Sequence, residues 1–440
     1  MSLRVAIFVG MFPVLSETFI LRQITGLLDR GHDVRIFSDL RNDSDAPAQP
    51  EVEQYKLLSR TTFMDMPVET APYEMPVRPF LGKTWPPGSA IPVSNLHRVF
   101  RAVPKWLRCT VTHPALTCQV LKSSESDYQA ASLSALYRLA ALNRRKPSFD
   151  VLHAHFGSVG KSFRFARALW KAPLVVSFHG FDFSTLPRKE GRGMYHKLFE
   201  DVDAVTVNSE YTQQELEKLG CPPRKMHKLP VGLDPSAFSF RERSRDTGEP
   251  MRVLTVARLV EIKGHEFVIR AIALLRKRNI PIRYDIVGDG PLRRKLTGLV
   301  QELGVKDAVF LHGAQPGTIV RQFLEQTHVF VLASVNVEGD QEGQGLVLQE
   351  AQACGIPVIA TQHGALPEGL LPGESGWVVP ERNIEALAER LLDVAEHPEA
   401  WPPAGRAGRA YVEKHYNIHH LNARLVEIYE TAIREYRSRN

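Results

Sequence analysis

The chain has 440 residues, 43% hydrophobic and 24% charged, with 55 Lys and Arg against 49 Asp and Glu for a net charge of +6. That is ordinary globular composition, which excludes a collagen, a coiled coil or a wholly disordered chain, and the length suits two or three domains. The four cysteines (Cys109, Cys118, Cys221, Cys354) form no C-x-x-C pair, so neither a disulfide scaffold nor a zinc ribbon is expected, and a reducing compartment fits.

The chain opens with an apolar strand at residues 4–9. Residues 5–15 have the length of a signal core, but Pro13 interrupts them and no small-residue cleavage site follows, so they read as buried strand, with a secretory signal as the alternative. Ser16-Glu17-Thr18 opens an amphipathic run to Leu28, with Ser16 as expected N-cap, and residues 33–37 form the next strand, which is a βαβ start. Between Pro72 and Lys122 stand Arg78, Lys83, Arg98, Arg101, Lys105, Arg108 and Lys122 against Glu74 alone, interleaved with Phe80, Trp85, Phe100 and Trp106. Such a segment reads either as a surface for anionic lipid headgroups or as a solvated insertion whose aromatics pack down on the domain. Nucleic acid is not expected, because the charges form no long stripe and no nucleic-acid motif appears.

Further strands are expected at residues 151–154, 174–178, 204–208 and 226–230. Residues 236–250 are polar and charged and read as a linker. The same grammar then restarts, with strands at 252–256, 283–287, 309–311, 328–332, 357–360 and 376–379 and helices at 264–277, 346–353, 382–396 and 401–437. Strands alternating with helices predict a parallel sheet covered on both faces, and two such halves predict two doubly wound α/β domains with a cleft between them. No apolar run reaches the roughly 18–20 residues that span a bilayer.

Ligands of such sheets lie beyond the carboxyl ends of the strands, so those positions carry the chemistry. Arg258 follows one strand and Lys263 lies beside Gly264 at a helix start, a setting for an anion. Gly288-Asp289-Gly290 leaves room for close backbone approach. In Glu342-Gly343-Gln344-Gly345-Leu346 the glycines head a helix whose amides would cradle a phosphate, with Glu350 placed for ribose hydroxyls and Glu342 for a second sugar. Each of these residues taken singly also has a structural reading, as a dipole partner or an ion pair. In the first half, His153 and His155 share a strand face, a geometry open to a metal, but no carboxylate or cysteine completes a set and none is expected. His179 follows a strand and either points into the cleft or is a satisfied core histidine.

Together these motifs resemble the family-4 retaining glycosyltransferases of the GT-B architecture. The matching residues are Val256-Ala257-Arg258-Leu259 with Lys263-Gly264, Val287-Gly288-Asp289-Gly290-Pro291, the Glu342/Glu350 pair, His153-Ala154-His155 and His179-Gly180-Phe181-Asp182. The opening Phe12-Pro13-Val14-Leu15-Ser16-Glu17-Thr18-Phe19 is similar to the exopolysaccharide, colanic-acid-type branch. The resemblance implies GT-B domains at residues 1–235, which bind acceptor, and 251–412, which bind nucleotide sugar. A helix at 413–440 would return to the first domain.

The resemblance further implies that Arg258 and Lys263 hold the diphosphate, that Glu342 and the amides of Gly343, Gln344, Gly345 and Leu346 meet sugar and phosphate, and that Gly288 borders the donor. Glu350 would bind ribose and His179 the transferred sugar. Phe12, Pro13, Ser16, Glu17 and Asp182 would serve acceptor or loop. The implied activity is transfer of a hexose from a UDP- or GDP-linked sugar to a glycan or lipid-linked oligosaccharide, in the cytoplasm or at the inner face of the membrane. No cofactor and no metal are implied, the cations and helix N-terminus answering the leaving charge. The rival readings are a non-catalytic binding subunit of a membrane assembly and a nucleotide-sugar epimerase or phosphorylase.

Overall fold

The computed structural model describes residues 2–14, 17–42, 49–64, 66, 79–80, 83–84, 91, 95–122, 133–143, 148–246 and 248–439. Ser16, and with it the expected N-cap, lies outside the described residues, as do Arg78, Trp85 and most of the stretch 67–94. The chain divides into two units. The first takes Met1–Val207, Gln213–Leu229 and Asn422–Asn440, and the second takes Asn208–Thr212 and Pro230–Leu421.

The first unit holds β1 (Arg4–Phe12), β2 (Asp33–Arg41) and β3 (Thr61–Phe63), a small antiparallel pair of β4 (Pro79–Phe80) and β5 (Lys83–Thr84), then β6 (Val151–His155), β7 (Leu174–Phe178), β8 (Ala204–Val207) and β9 (Met226–Lys228). Its main sheet has the order β3-β2-β1-β6-β7-β8-β9, with every pairing parallel. β6, β7 and β8 are buried at every position. β7 and β8 read as near-continuous apolar runs rather than alternation because helices cover both faces. The helix Thr18–Asp29 buries Ile20, Leu21, Ile24 and Leu27, one stripe at helical spacing. Its N-cap is Glu17, whose side chain makes no capping bond.

Among the described residues, the helices Asn95–Thr112, Pro114–Lys122 and Ser134–Leu142 stand between β5 and β6. They are fastened to the sheet by Arg138, fully buried, whose Nε and a terminal nitrogen each donate to the Asp39 carboxylate at 3.0 Å. A buried charge pair of this geometry fixes position more than it adds stability.

The second unit holds β10 (Met251–Val256), β11 (Ile282–Val287), β12 (Val309–Leu311), β13 (Val329–Leu332), β14 (Val358–Thr361) and β15 (Gly376–Val379), in the order β12-β11-β10-β13-β14-β15, again all parallel. One face of the sheet packs on the helices His265–Lys277 and Ile384–Glu396 and on Trp401. The other packs on Leu348, Ala351, Val412 and Tyr416. In each unit the strand order reverses at the middle, between β1 and β6 and between β10 and β13. At such a switch point the loops leave in opposite directions and open a crevice at the strand ends.

Residues 236–246 and 248–250, within the span expected as a linker, are fastened within the second unit, whose main run starts at Pro230. Phe238 joins the core, the Arg241 amide donates to the Cys354 carbonyl, and Arg243 donates to the Glu325 and Cys354 carbonyls at 2.6 and 2.7 Å. Composition misled there because the anchoring atoms on the partner side are main-chain carbonyls. The run 401–437 is two helices, Trp401–His415 and Ile418–Arg439, and the second crosses from one unit into the other at Leu421/Asn422.

Candidate active site

The second unit places its charged residues at its switch point. Beyond β10, the turn Glu261–Lys263 ends in Gly264, with φ +64°, where an added Cβ would stand 1.8 Å from the Ala333 carbonyl oxygen beyond β13. Only glycine permits both the left-handed backbone and that approach. The Val335 amide donates to the Ile262 carbonyl at 2.8 Å, so the two strand-end loops are bonded together. Across this contact Lys263 Nζ donates to Glu342 Oε1, which also accepts from Ser334 Oγ at 3.1 Å. Burial alone would raise the Glu342 carboxyl, but the charge and hydrogen bond of Lys263, with smaller help from His363 and Ser334, hold it below its usual range. A lysine ammonium has three N–H donors, so pairing with Glu342 leaves it capacity for a second anion.

Behind Glu342 the helix Leu346–Ala353 starts at Gly345, whose φ is +79°. Among the described residues, no acceptor takes the backbone N–H of Gly343, Gln344 or Gly345. The helix start therefore offers amides and a partial positive charge next to the lysine. Arg258 is exposed beyond β10. Its carbonyl accepts from His265 Nε2 at 3.0 Å, and burial pushes the His265 imidazole down to about 4, so the ring is a neutral donor that steadies the Arg258 turn.

Two further residues set this loop, and sequence reasoning missed both. The Glu342 amide donates to His363 Nε2 at 3.2 Å. An imidazole nitrogen that accepts carries no proton, so the proton is on Nδ1, which donates to Glu381 Oε1 at 2.9 Å. The other Glu381 oxygen accepts from the Asn336 amide at 2.7 Å. Glu381 and His363 therefore clasp both ends of the loop from Asn336 to Glu342. The Ala365 amide donates to the Glu342 carbonyl at 3.0 Å, completing the grip on that residue's main chain.

Two expected donor residues have structural work. Gln344 spends its amide on the Val231 backbone, accepting from its N–H at 2.7 Å and donating to its carbonyl at 2.8 Å, so only its main chain remains for a ligand. Gly288, φ +147°, faces the Ala257 carbonyl, 1.9 Å from where a Cβ would be. The close approach foreseen for it is to the protein's own backbone. Glu350 is half-buried on the helix Leu346–Ala353.

The first unit builds a neutral site at its own switch point. His153 and His155 lie at the end of β6. His153 Nδ1 is 2.6 Å from Tyr429 Oη and its Nε2 is 2.7 Å from Ser177 Oγ, so neither nitrogen is available to a metal. His155 Nδ1 is 3.2 Å from His179 Nε2 beyond β7. Burial pushes His153 and His179 down to about 3 and holds His155 well below the ordinary imidazole value. The row is therefore uncharged at neutral pH.

The Phe19 and Phe156 rings stand 4.5 and 4.8 Å from the His179 ring. Asp182 accepts from the amides of His179, Gly180 and Gly157 at 3.1, 2.9 and 3.0 Å, which ties the loops after β6 and β7 together. It is fully buried and acts on the loop. Burial raises its carboxyl, and those amide bonds oppose the rise. Phe12 and Pro13 lie at the end of β1, with the Pro13 carbonyl held by Asn42 Nδ2 at 2.8 Å. Burial pushes the nearby Glu17 carboxyl up to about 8.

Residues 16–232 match the family description "Glycosyl transferase 4-like domain" and residues 237–410 match "Glycosyl transferases group 1". The chain is 30% identical over 435 residues to a protein of Salmonella typhimurium named as a colanic acid biosynthesis glycosyltransferase, WcaL, covering 98% of this chain and 100% of the relative. It is 29% identical over 437 residues to the amylovoran biosynthesis glycosyltransferase AmsK of Erwinia amylovora, covering 97% and 99%. In fold it is similar to Anabaena HepE, solved in complex with UDP-glucose, with a TM-score of 0.66 and 14% identity over 98% of this chain and 100% of that one. With two parallel-sheet units of GT-B type and matches that run nearly end to end, the chain belongs to the group 1, family-4-like glycosyltransferases, in the branch of the colanic acid and amylovoran enzymes.

Proposed function

We propose that this glycosyltransferase moves a hexose from a UDP- or GDP-linked sugar to a glycan or lipid-linked oligosaccharide during bacterial polysaccharide synthesis, with retention at the sugar carbon. The observation that carries the reading is the Lys263–Glu342 pair beside the amides of Gly343 to Gly345 at the second unit's switch point. The names of the relatives support the polysaccharide context, and HepE, crystallised with UDP-glucose, supports a nucleotide sugar.

In this reading the leaving diphosphate meets Lys263, Arg258 and the helix start. Glu342 holds Lys263 in place and borders the sugar, and Glu350 takes the ribose hydroxyls. In the first unit, His179 contacts the transferred sugar as a neutral hydrogen-bonding ring. The bond from sugar C1 to the phosphate oxygen breaks, the bond from C1 to the acceptor oxygen forms on the same face, and the acceptor proton passes to the leaving phosphate. The preorganised cations stabilise charge where it develops, which is the work a divalent ion does elsewhere. The enzyme needs neither cofactor nor metal in this scheme, so a chelator leaves turnover unchanged.

The test is a panel of UDP- and GDP-hexoses scored by thermal stabilisation, followed by transfer to an acceptor extract and NMR of the product anomer. Stabilisation by one nucleotide series with an unchanged anomeric configuration supports the reading. An inverted product removes the same-face mechanism, and no stabilisation by any nucleotide removes the donor site.

A further inference from the structure

The helix Asn95–Thr112 is mounted with its apolar face outward. Leu96, Phe100 and Val111 are 85%, 78% and 83% exposed, and Val99, Val103 and Leu107 are exposed with them. At about 100° per residue these six occupy an arc of about 120° on one side of the helix. Trp106 extends the arc at its edge and is exposed too. The side that faces the protein is different in kind, formed by Ala102, Cys109 and Arg98, all buried. The seating is well defined. Tyr137 Oη donates to the Arg98 carbonyl at 3.0 Å, Lys105 Nζ stands 4.6 Å over the Tyr137 ring, and Asn143 Nδ2 donates to Thr112 Oγ1 at 2.7 Å.

A monomer gains nothing from turning such a stripe to water, and a contiguous apolar face of this kind marks an interaction surface. Charge identifies the occupant. Arg101 and Arg108, both exposed, border the stripe, and between residues 95 and 122 the sequence has Arg98, Arg101, Lys105, Arg108 and Lys122 without one Asp or Glu. Among the described residues no helix is long and apolar enough to cross a membrane. An exposed apolar stripe edged by arginine, on a helix with no acid, matches a helix that lies in the headgroup region of an anionic bilayer.

We infer that the helix Asn95–Thr112 docks this enzyme on an anionic phospholipid membrane, with the Leu96–Phe100–Leu107 stripe in the acyl boundary and Arg101 and Arg108 at the headgroup phosphates. This goes beyond the reaction proposed above and does not depend on it, because the binding is measured without turnover.

The experiment is co-sedimentation of this chain with vesicles of phosphatidylcholine alone and of phosphatidylcholine mixed with phosphatidylglycerol, at low and high salt. Binding is expected to the mixed vesicles only. The triple variant L96S/F100S/L107S is expected to weaken it by about tenfold or more, and R101S/R108S to weaken it most at low salt. The substituted side chains are exposed, so an unchanged melting temperature separates lost docking from lost folding. Wild-type protein that stays in the supernatant with anionic vesicles at low salt overturns the inference. So does a triple variant that binds as well as wild type, or one that loses self-association in sedimentation equilibrium while keeping its lipid binding, which would assign the stripe to a second copy of the chain.

Discussion

The two switch points solve the same problem with opposite materials. In the second unit the strand-end residues are ions: Lys263 and Glu342 face each other, and the main chain behind Glu342 is gripped by His363 and Ala365. In the first unit they are neutral rings, His155 and His179, packed against Phe19 and Phe156 and held uncharged by burial. A charged site needs its ions paired and its loops held rigid, as Lys263 and Glu342 are. A neutral one needs desolvation to keep its protons fixed.

The sharpest way to break this comparison is Lys263→Ala. If the lysine is the electrostatic partner of the leaving group, kcat/KM should fall by about 10²–10³-fold while the fold survives, as steady-state kinetics and circular dichroism will show. Near-normal turnover would make the second site no more than a structural ion pair. Gly264→Ala comes next. Its Cβ would meet the Ala333 carbonyl in a left-handed backbone, so a loss of about 2–4 kcal/mol of stability is expected in urea denaturation.

His363→Ala should raise the donor KM by about tenfold with a smaller change in kcat, because it loosens the loop without touching the reacting atoms. His363→Gln, which keeps an acceptor for the Glu342 amide, should recover most of it. Hydrogen exchange at that amide gives a readout independent of activity, with protection lost in the alanine variant and kept in the glutamine one.

The smallest expected effect is on pH. The first unit's histidines are held well below 6.5 when folded, His153 and His179 at about 3. Below 6.5 the unfolded chain binds protons that the folded chain refuses. Stability from these rings is therefore complete above 6.5 and declines as pH falls toward 3. His155→Gln should flatten the dependence of the urea midpoint on pH between 6.5 and 4, whereas Lys263→Ala should leave that slope unchanged.

The parallel strands, the restart of the pattern after the first half and the helix Leu346–Ala353 are all legible in the sequence, because each is a local apolar run with the period of its element. The ions of the second site are legible too, being packed into short motifs at strand ends. What local pattern does not carry is pairing across the chain. His363 reads as a core histidine until Glu342, 21 residues earlier, is seen to donate to it. Arg138 and Asp39 are 99 residues apart. The Gln344 side chain is held by Val231, 113 residues away, which no local pattern shows. The basic and aromatic residues of 95–112 stand out in the sequence, but the helix that carries them does not, for a different reason. Pro104 sits in its middle, and its apolar stripe faces outward, so the usual link between apolar spacing and the core is reversed.

The bond between Tyr429 and His153 spans 276 residues. During synthesis at about 5–20 residues per second the histidine row waits roughly 15–55 s for that hydroxyl to leave the ribosome. Until then His153 has its Ser177 partner but lacks the tyrosine, and the first sheet lacks the helix segment that covers it. The first unit is begun early and finished late, after the second has emerged, so a nascent chain that holds every strand of both sheets still lacks part of its first unit's framework. Truncation between Leu421 and Tyr429 would yield a protein able to form its second unit but not to complete its first.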